Sequence, residues 1–283
     1  MLHEAMTTKN GRVALVTGAA KGMGAEMALG LLEAGHTVCI VDRDPLALAH
    51  FDTVLRERDY SGRSLTLNAD LRDTGSVDRV VNEVEVKYGR IDVLVNNAGV
   101  GQGSIRADNA RNPIRFWEVT QEQWRDFLQI NTTTAFLFSR ALAPGMVERG
   151  WGRIVTITTS LDSMLRRSML PYGPSKAASE AATAVMAADL AGTGVTANTL
   201  IPGGPTDTSF VPMESGYDRS KLMSPRIVVP PLLWVTSNEA NAFTAKRIVA
   251  AYWNPARGGD EQDENACAPI AWTGYGPKMI TPS

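Results

Sequence analysis

Cysteine and histidine are scarce in this chain, with two and three in 283 residues. Cys39 and Cys267 stand far apart, and Cys39 lies inside an apolar run, so no disulfide framework is expected and a reducing compartment fits. His3, His36 and His50 form no ligand-like cluster, so no metal site is expected. A charge excess is also missing: 28 Lys and Arg face 30 Asp and Glu, a net charge of −2. Nucleic-acid binding usually shows as a basic excess on one face, so no such partner is expected. No apolar run approaches the ~20 residues of a membrane span. The opening MLHEAMTTKNGR lacks the apolar region of a secretory signal. These absences point to a soluble cytoplasmic protein with neither a nucleic-acid nor a membrane partner.

What is present is a strict rhythm. Hydrophobic residues make up 44% of the chain, enough for one large core. Short apolar runs at 13–17 (VALVT), 37–41 (TVCIV), 64–68 (SLTLN), 91–95 (IDVLV), 153–158 (RIVTIT), 195–201 (VTANTLI) and 247–252 read as strands. Between them lie helical patterns, among them 22–34, 45 onward, 77–86, 121–147 and 175–191. Strands alternating with helices predict a doubly wound, mostly parallel α/β sheet with helices on both faces. No repeat, low-complexity tract or linker breaks the chain, so one domain is expected over 12–255. An N-terminal tail (1–11) precedes it and a C-terminal extension (256–283) follows. The stretches 100–119 and 205–225 are long, polar and aperiodic. Both follow strands, where a doubly wound sheet binds its ligands, so both are expected to cover a site.

The first strand runs into TGAAKGMG, with Gly18, Gly22 and Gly24 ahead of a helix. Glycines there let the backbone approach a pyrophosphate, and the helix N-terminus favours its charge. Lys21 and Met23 belong to the same turn. Asp42 ends the second strand, where a carboxylate accepts from adenosine ribose hydroxyls and repels a 2′-phosphate. That predicts NAD as cofactor over NADP, against the mild counter-signal of the cations Lys21 and Arg43.

TGAAKGMG, NNAG (96–99), Asn131 in QIN, the hydroxyl cluster after the fifth strand, YGPSK (172–176) and IPGG (201–204) stand in one order along residues 10–255. In this the chain resembles the short-chain dehydrogenase/reductase family. The resemblance implies a seven-stranded Rossmann-like sheet, a nicotinamide cofactor, hydride transfer between an alcohol and a ketone, and a homodimer or homotetramer. Asp70, followed by Leu71, looks like the acid at the adenine. Asn96, Asn97, Ala98 and Gly99 look like the stretch beside the cofactor. Pro202 and Gly203 look like the nicotinamide-side clamp, with Thr206 or Thr208 at the carboxamide or a phosphate. Asp207 stands where the family often has threonine.

Tyr172 and Lys176 are four apart and share a helix face. Pro174 falls in the first turn, where it is tolerated. A free phenol, with pKa ~10, is a poor base at neutral pH, and a nearby ammonium favours the phenolate. Tyr172 is therefore expected to be the general acid/base. Lys176 is expected to hold the nicotinamide ribose, and Asn131 a relaying water. The family's serine column falls on Thr159, with Ser160 beside it; of the two, Ser160 is preferred.

Leu161, Met164, Leu165, Met169, Leu170, Phe116, Trp117, Phe210 and Met213 are expected to line an apolar pocket. They imply a medium-to-bulky secondary alcohol or ketone. Arg166 and Arg167 read as solvated. The segment after the seventh strand, with Trp253, Trp272 and Tyr275, is expected to pack on a neighbouring subunit or over the site. The alternatives are a dinucleotide sensor without turnover, an epimerase or dehydratase, and an NADP-dependent ketoreductase.

Overall fold

Strand β1 (Val13–Thr17) is buried at all five positions, and its side chains divide between two apolar cores. Ala14 and Val16 join one, while Val13 and Leu15 join the other, as the period of two in a strand requires. The computed structural model, which describes residues 11–272, extends this layering across an eight-stranded sheet. The further strands are β2 (Thr37–Asp42), β3 (Ser64–Asn68), β4 (Val93–Asn96), β5 (Gly152–Ile157), β6 (Val195–Ile201), β7 (Lys246–Val249) and β8 (Cys267–Pro269). Their order is β3-β2-β1-β4-β5-β6-β7-β8. All pairs are parallel except β7 with β8. Parallel strands are buried on both faces, which is why they read as unbroken apolar runs.

One core is closed by α1 (Gly22–Glu33), α2 (Pro45–Glu57) and α8 (Val229–Val235), through Met27, Leu31, Phe51, Leu55, Leu232 and Val235. The other is closed by α3 (Gly75–Tyr88), α5 (Thr134–Glu148) and α7 (Tyr172–Asp189), through Val77, Val80, Val84, Phe138, Leu142 and Ala187. Each of these side chains except Ala187 contributes about 1.5–3 kcal/mol when fully buried. Asp44 caps α2 by accepting from Leu46 N and Ala47 N, and Pro45 presets its first turn. Gly89, at φ +73°, ends α3 in the left-handed conformation.

The chain leaves β1 towards β2 and β3, then returns to β4 on the other side. The ends of β1 and β4 therefore flank the switch point where such sheets bind ligands.

Three sequence expectations are revised. The sheet has eight strands rather than seven: β8, from the extension, pairs antiparallel with β7. Its three residues, ending in Pro269, are too short and irregular to read as a strand. The seventh strand stops at Val249 and turns into a 3-10 helix over Ala250–Tyr252. The long helical region is α4 (Gln121–Leu128) and α5 joined by a π-helical turn, Gln129–Thr133. In the extension, Ala266 and Ile270 are buried; Trp253, ahead of it, is a core residue whose ring lies 5.5 Å from that of Trp234. Tyr275 lies outside the described residues. Among those described, no helix is long and apolar enough to cross a membrane.

At the amino ends of the strands, the buried Asp92 accepts from Val13 N at 3.0 Å and from Arg90 Nε at 2.8 Å. Asp92→Ala strands the Val13 amide and is expected to cost on the order of 1–3 kcal/mol, read from urea denaturation. A loss under about 0.5 kcal/mol would show that this carboxylate does not hold the amino ends of β1 and β4 together.

Candidate active site

The turn after β1 is shaped by what a side chain would hit. A Cβ on Gly24 would lie 2.0 Å from Gly18 O, and one on Gly18 2.9 Å from Ala98 Cα. Gly18 and Gly22 also hold φ of +62° and +59°, which L side chains rarely adopt. Thr17 ties this turn to the end of β4: its Oγ1 accepts from Asn97 N at 3.1 Å and Ala98 N at 3.0 Å. Asn97 Nδ2 donates back to Thr17 O at 2.8 Å and Gly18 O at 2.9 Å. Thr17 was missed in the sequence, although its place beside Gly18 was a usable signal. Asn96, by contrast, points away and donates to Ser139 Oγ on α5.

The loop after β6 reaches this cradle. A Cβ on Gly22 would meet Thr208 Cγ2 at 3.0 Å, and Thr206 is buried in a bridge to Met223. Asp207 turns outward to pair with Arg219.

At the end of β2, Asp42 is buried, with Oδ2 accepting from Ala20 N and Oδ1 from Asp44 N, each at 3.1 Å. Lys21 pairs with Asp44 at 2.9 Å instead of standing free. Asp70 is gripped by Arg72, whose Nε lies 3.0 Å from Oδ2, and this holds its carboxyl below the usual range. The glycine cradle, a buried acid at the end of β2 and a paired Lys21 fit the dinucleotide that the sequence motif suggests.

Tyr172 opens α7. Its phenol and the Thr159 side chain border the same cavity, and Phe210 lies over the ring with centroids 5.9 Å apart. Burial pushes the phenol up, and the Thr159 side chain opposes this. Lys176, one turn on, is buried and donates from Nζ to Ile157 O at 2.8 Å. Burial pushes its ammonium down to about 8. Among the chain's own groups, burial governs the tyrosine, and the Lys176 ammonium is directed at a carbonyl.

Ser160, preferred from the sequence, and Thr159 both line the cavity, but their hydroxyls are engaged differently. Ser160 Oγ caps α6 (Leu161–Leu165), accepting from Ser163 N at 3.0 Å, and bonds Ser163 Oγ at 2.8 Å. Thr159, one residue earlier, is the one whose side chain acts on the Tyr172 phenol. A turn that begins directly after β5 spends the serine on the helix start, which spacing alone does not reveal.

One cavity of about 1150 Å³ collects Gly18, Lys21, Gly22, Met23, Gly24, Asp42, Arg43, Asp70, Leu71, Asn97, Ala98, Gly99, Thr159, Ser160, Tyr172, Lys176, Pro202, Gly203, Thr206 and Thr208. Asn131 stands behind it, in the π turn. Its Oδ1 accepts from Val100 N at 2.8 Å, and its Nδ2 donates to Val100 O at 3.0 Å and Ser175 Oγ at 2.9 Å. Its amide thus braces Gly99–Val100 and the start of α7 and does not face the cavity.

The substrate end of the cavity is lined by a different set of residues from the one expected. Met169 and Phe210 line it, together with Ser104, Asn109, Asp162, Arg166, Arg167 and Tyr217. Met164, Leu165, Leu170, Phe116 and Trp117 instead line a second pocket of about 440 Å³, on the outer side of α6. Arg166 pairs with Asp162 at 3.6 Å. The two long loops pack together: Cβ atoms on Gly101 and Gly103 would strike Phe210 and Pro212 at 2.4 and 2.5 Å.

The family model for short chain dehydrogenase matches residues 12–215. A short-chain type dehydrogenase/reductase of Picea abies is 34% identical over 198 residues, 68% of this chain and 70% of its own. The 3-oxoacyl-(acyl-carrier-protein) reductase of Vibrio harveyi is 28% identical over 84% of this chain and 95% of its own. Among solved structures, the 3-ketoacyl-(acyl-carrier-protein) reductase of Brucella melitensis complexed with NADH aligns with a TM-score of 0.69 at 25% identity, covering 83% of this chain and 94% of its own. The chain belongs to the short-chain dehydrogenase family of nicotinamide-dependent oxidoreductases.

Proposed function

We propose that the protein transfers hydride between NAD(H) and a medium-to-bulky secondary alcohol or ketone, with Tyr172 as general acid/base. The observation that carries this reading is that Thr159, Tyr172 and Lys176 share one cavity with the glycine cradle. The relatives named as reductases of 3-oxoacyl groups support a ketone–alcohol couple.

Gly18, Gly22, Gly24 and Thr208 hold the pyrophosphate in this reading, and Asp70 and Leu71 flank the adenine. Asp42 accepts from the adenosine ribose, while Lys21, engaged by Asp44, is not free for a 2′-phosphate; both support NAD. Asn97, Ala98, Gly99, Pro202, Gly203 and Thr206 border the nicotinamide half. The cofactor supplies the hydride site and, when oxidised, a positive charge.

Thr159 Oγ1 orients the substrate oxygen against the phenol. Tyr172 gives its proton to a ketone oxygen in reduction and takes the alcohol proton in oxidation. Burial keeps the phenol protonated, which suits reduction. Lys176, anchored on Ile157 O, keeps two further N–H donors for the nicotinamide ribose. Asn131 positions Val100 and Ser175. The substrate packs its apolar body on Met169 and Phe210 and carries a polar group towards Asn109 or Arg167. Exposed Phe136 on α5 and Val185 on α7 support a homo-oligomer, and two free thiols suit the cytoplasm.

The test is turnover of NAD and NADP, followed by reduced-nicotinamide absorbance, against a panel of cyclic and aromatic secondary alcohols and their ketones. Silence with both cofactors, together with no NADH binding, overturns the reading. Tyr172→Phe is expected to lower kcat by about 10³-fold or more while NADH affinity stays within about twofold; residual activity near wild type would remove Tyr172 from its role. Asp42→Ala is expected to raise the NADP/NAD ratio of kcat/KM by about tenfold, as one lost hydrogen bond to a charged group implies. An unchanged ratio would contradict the account of β2.

The pH dependence follows from Lys176. Its ammonium is present below about 8 and lost above it, whereas the phenol stays protonated well beyond that point. The rate of ketone reduction should therefore fall as pH rises through about 8. A profile flat to pH ~9.5, beyond one unit of the lysine's titration, would show that its charge is not needed.

A further inference from the structure

Glu180 and Arg247 form a buried ion pair that none of the roles above uses. Glu180 lies two turns beyond Tyr172 on α7 and is fully buried; Arg247, on β7, is 7% exposed. Removing two charges from water is costly unless their hydrogen-bonding capacity is met, and an apolar pair of like volume often serves stability as well. Here the capacity is spent on the end of β5. Arg247 uses one nitrogen on Glu180 Oε2 and donates from Nη2 to Thr159 O at 2.6 Å. Glu180 Oε2 accepts from Thr158 Oγ1 at 3.0 Å, and its Oε1 accepts from Ala271 N at 3.1 Å. The pair therefore grips two successive residues, one by its hydroxyl and the next by its carbonyl. The second, Thr159, lines the cavity with Tyr172. The segment after β8 closes over the same carboxylate.

We propose that Glu180 and Arg247 are positioning residues for the reaction, fixing the backbone of Thr159 so that its hydroxyl meets the Tyr172 phenol. This rests on the reading of Thr159 given above. An apolar pair could fill the space but could not hold the Thr159 carbonyl. Arg247→Lys is the discriminating variant: an ammonium still answers Glu180 but lacks the second fork nitrogen that reaches Thr159.

The experiment is a double-mutant cycle of Arg247→Lys with Thr159→Ala. It is read by kcat on a ketone from the panel above and by the Tyr172 ¹³Cζ resonance, assigned by its loss in Tyr172→Phe. The resonance needs no substrate. Arg247→Lys is expected to shift it and to lower kcat by about tenfold, as displacement of a reacting group does. NADH affinity should stay within about twofold. In the Thr159→Ala background the same change should move neither readout further, since coupled sites are non-additive. A resonance unmoved by Arg247→Lys, or additive losses, overturns the inference and leaves Thr159 its role. Should Thr159→Ala itself change neither readout, the reading of Thr159 falls and the inference with it. Glu180→Gln, which keeps the side chain's shape and one acceptor oxygen but loses the charge that holds Arg247, carries the same cycle if Arg247→Lys does not fold.

Discussion

The polar seam between β5 and α7 is the contact on which the geometry of the site depends. Both elements are buried, yet they meet through hydroxyls, an amine and a carboxylate. Tyr172, Lys176, Glu180 and Thr183 recur at helical spacing along α7. They face the Thr159 side chain, Ile157 O, Thr158 Oγ1 and Thr156 Oγ1 in turn. Buried polar groups left unpaired are costly, so this seam admits one register between helix and strand. Tyr172 and Lys176 inherit their places from it. A shift by one residue would break every pair at once.

The cradle at the switch point works by the opposite means. Where the seam needs side chains, the cradle needs their absence. Gly18 and Gly24 let backbone approach backbone, and Thr17 with Asn97 then locks two loops that are adjacent only because β1 and β4 are neighbours. Both halves of the cavity are preorganised by hydrogen bonds internal to the chain. Asn131 adds a third brace, and the π turn that carries it departs from the regular i→i−4 ladder at this point.

Over the site, the two long loops interlock through small residues. Phe210 rests on Gly101 and on the Tyr172 ring, and Pro212 rests on Gly103. A loop far from it in sequence thus covers one face of the tyrosine ring. The same closure divides the apolar side chains near α6. Some wall the cavity with Phe210, while others, such as Leu165 and Trp117, turn to the outer pocket.

Much of this was legible in the residues. Alternating apolar runs and helical spacing specify a doubly wound sheet, because burial on two faces leaves little room for polar positions. The glycines after β1, the acid ending β2 and the Tyr172–Lys176 spacing are local signals, since a turn, a strand end and one helix face need only nearby sequence. The eighth strand was not legible, because three residues acquire strand form only by pairing with β7. Nor was the choice between Thr159 and Ser160, since the start of α6 decides which hydroxyl is spent on a cap. Glu180 sat in plain view on the Tyr172 face, but its meaning needed Arg247, 67 residues away. By itself, then, the sequence determined which chemical groups exist and which elements carry them. The tertiary structure decided which of those groups meet and which are desolvated, because both depend on packing between segments distant along the chain.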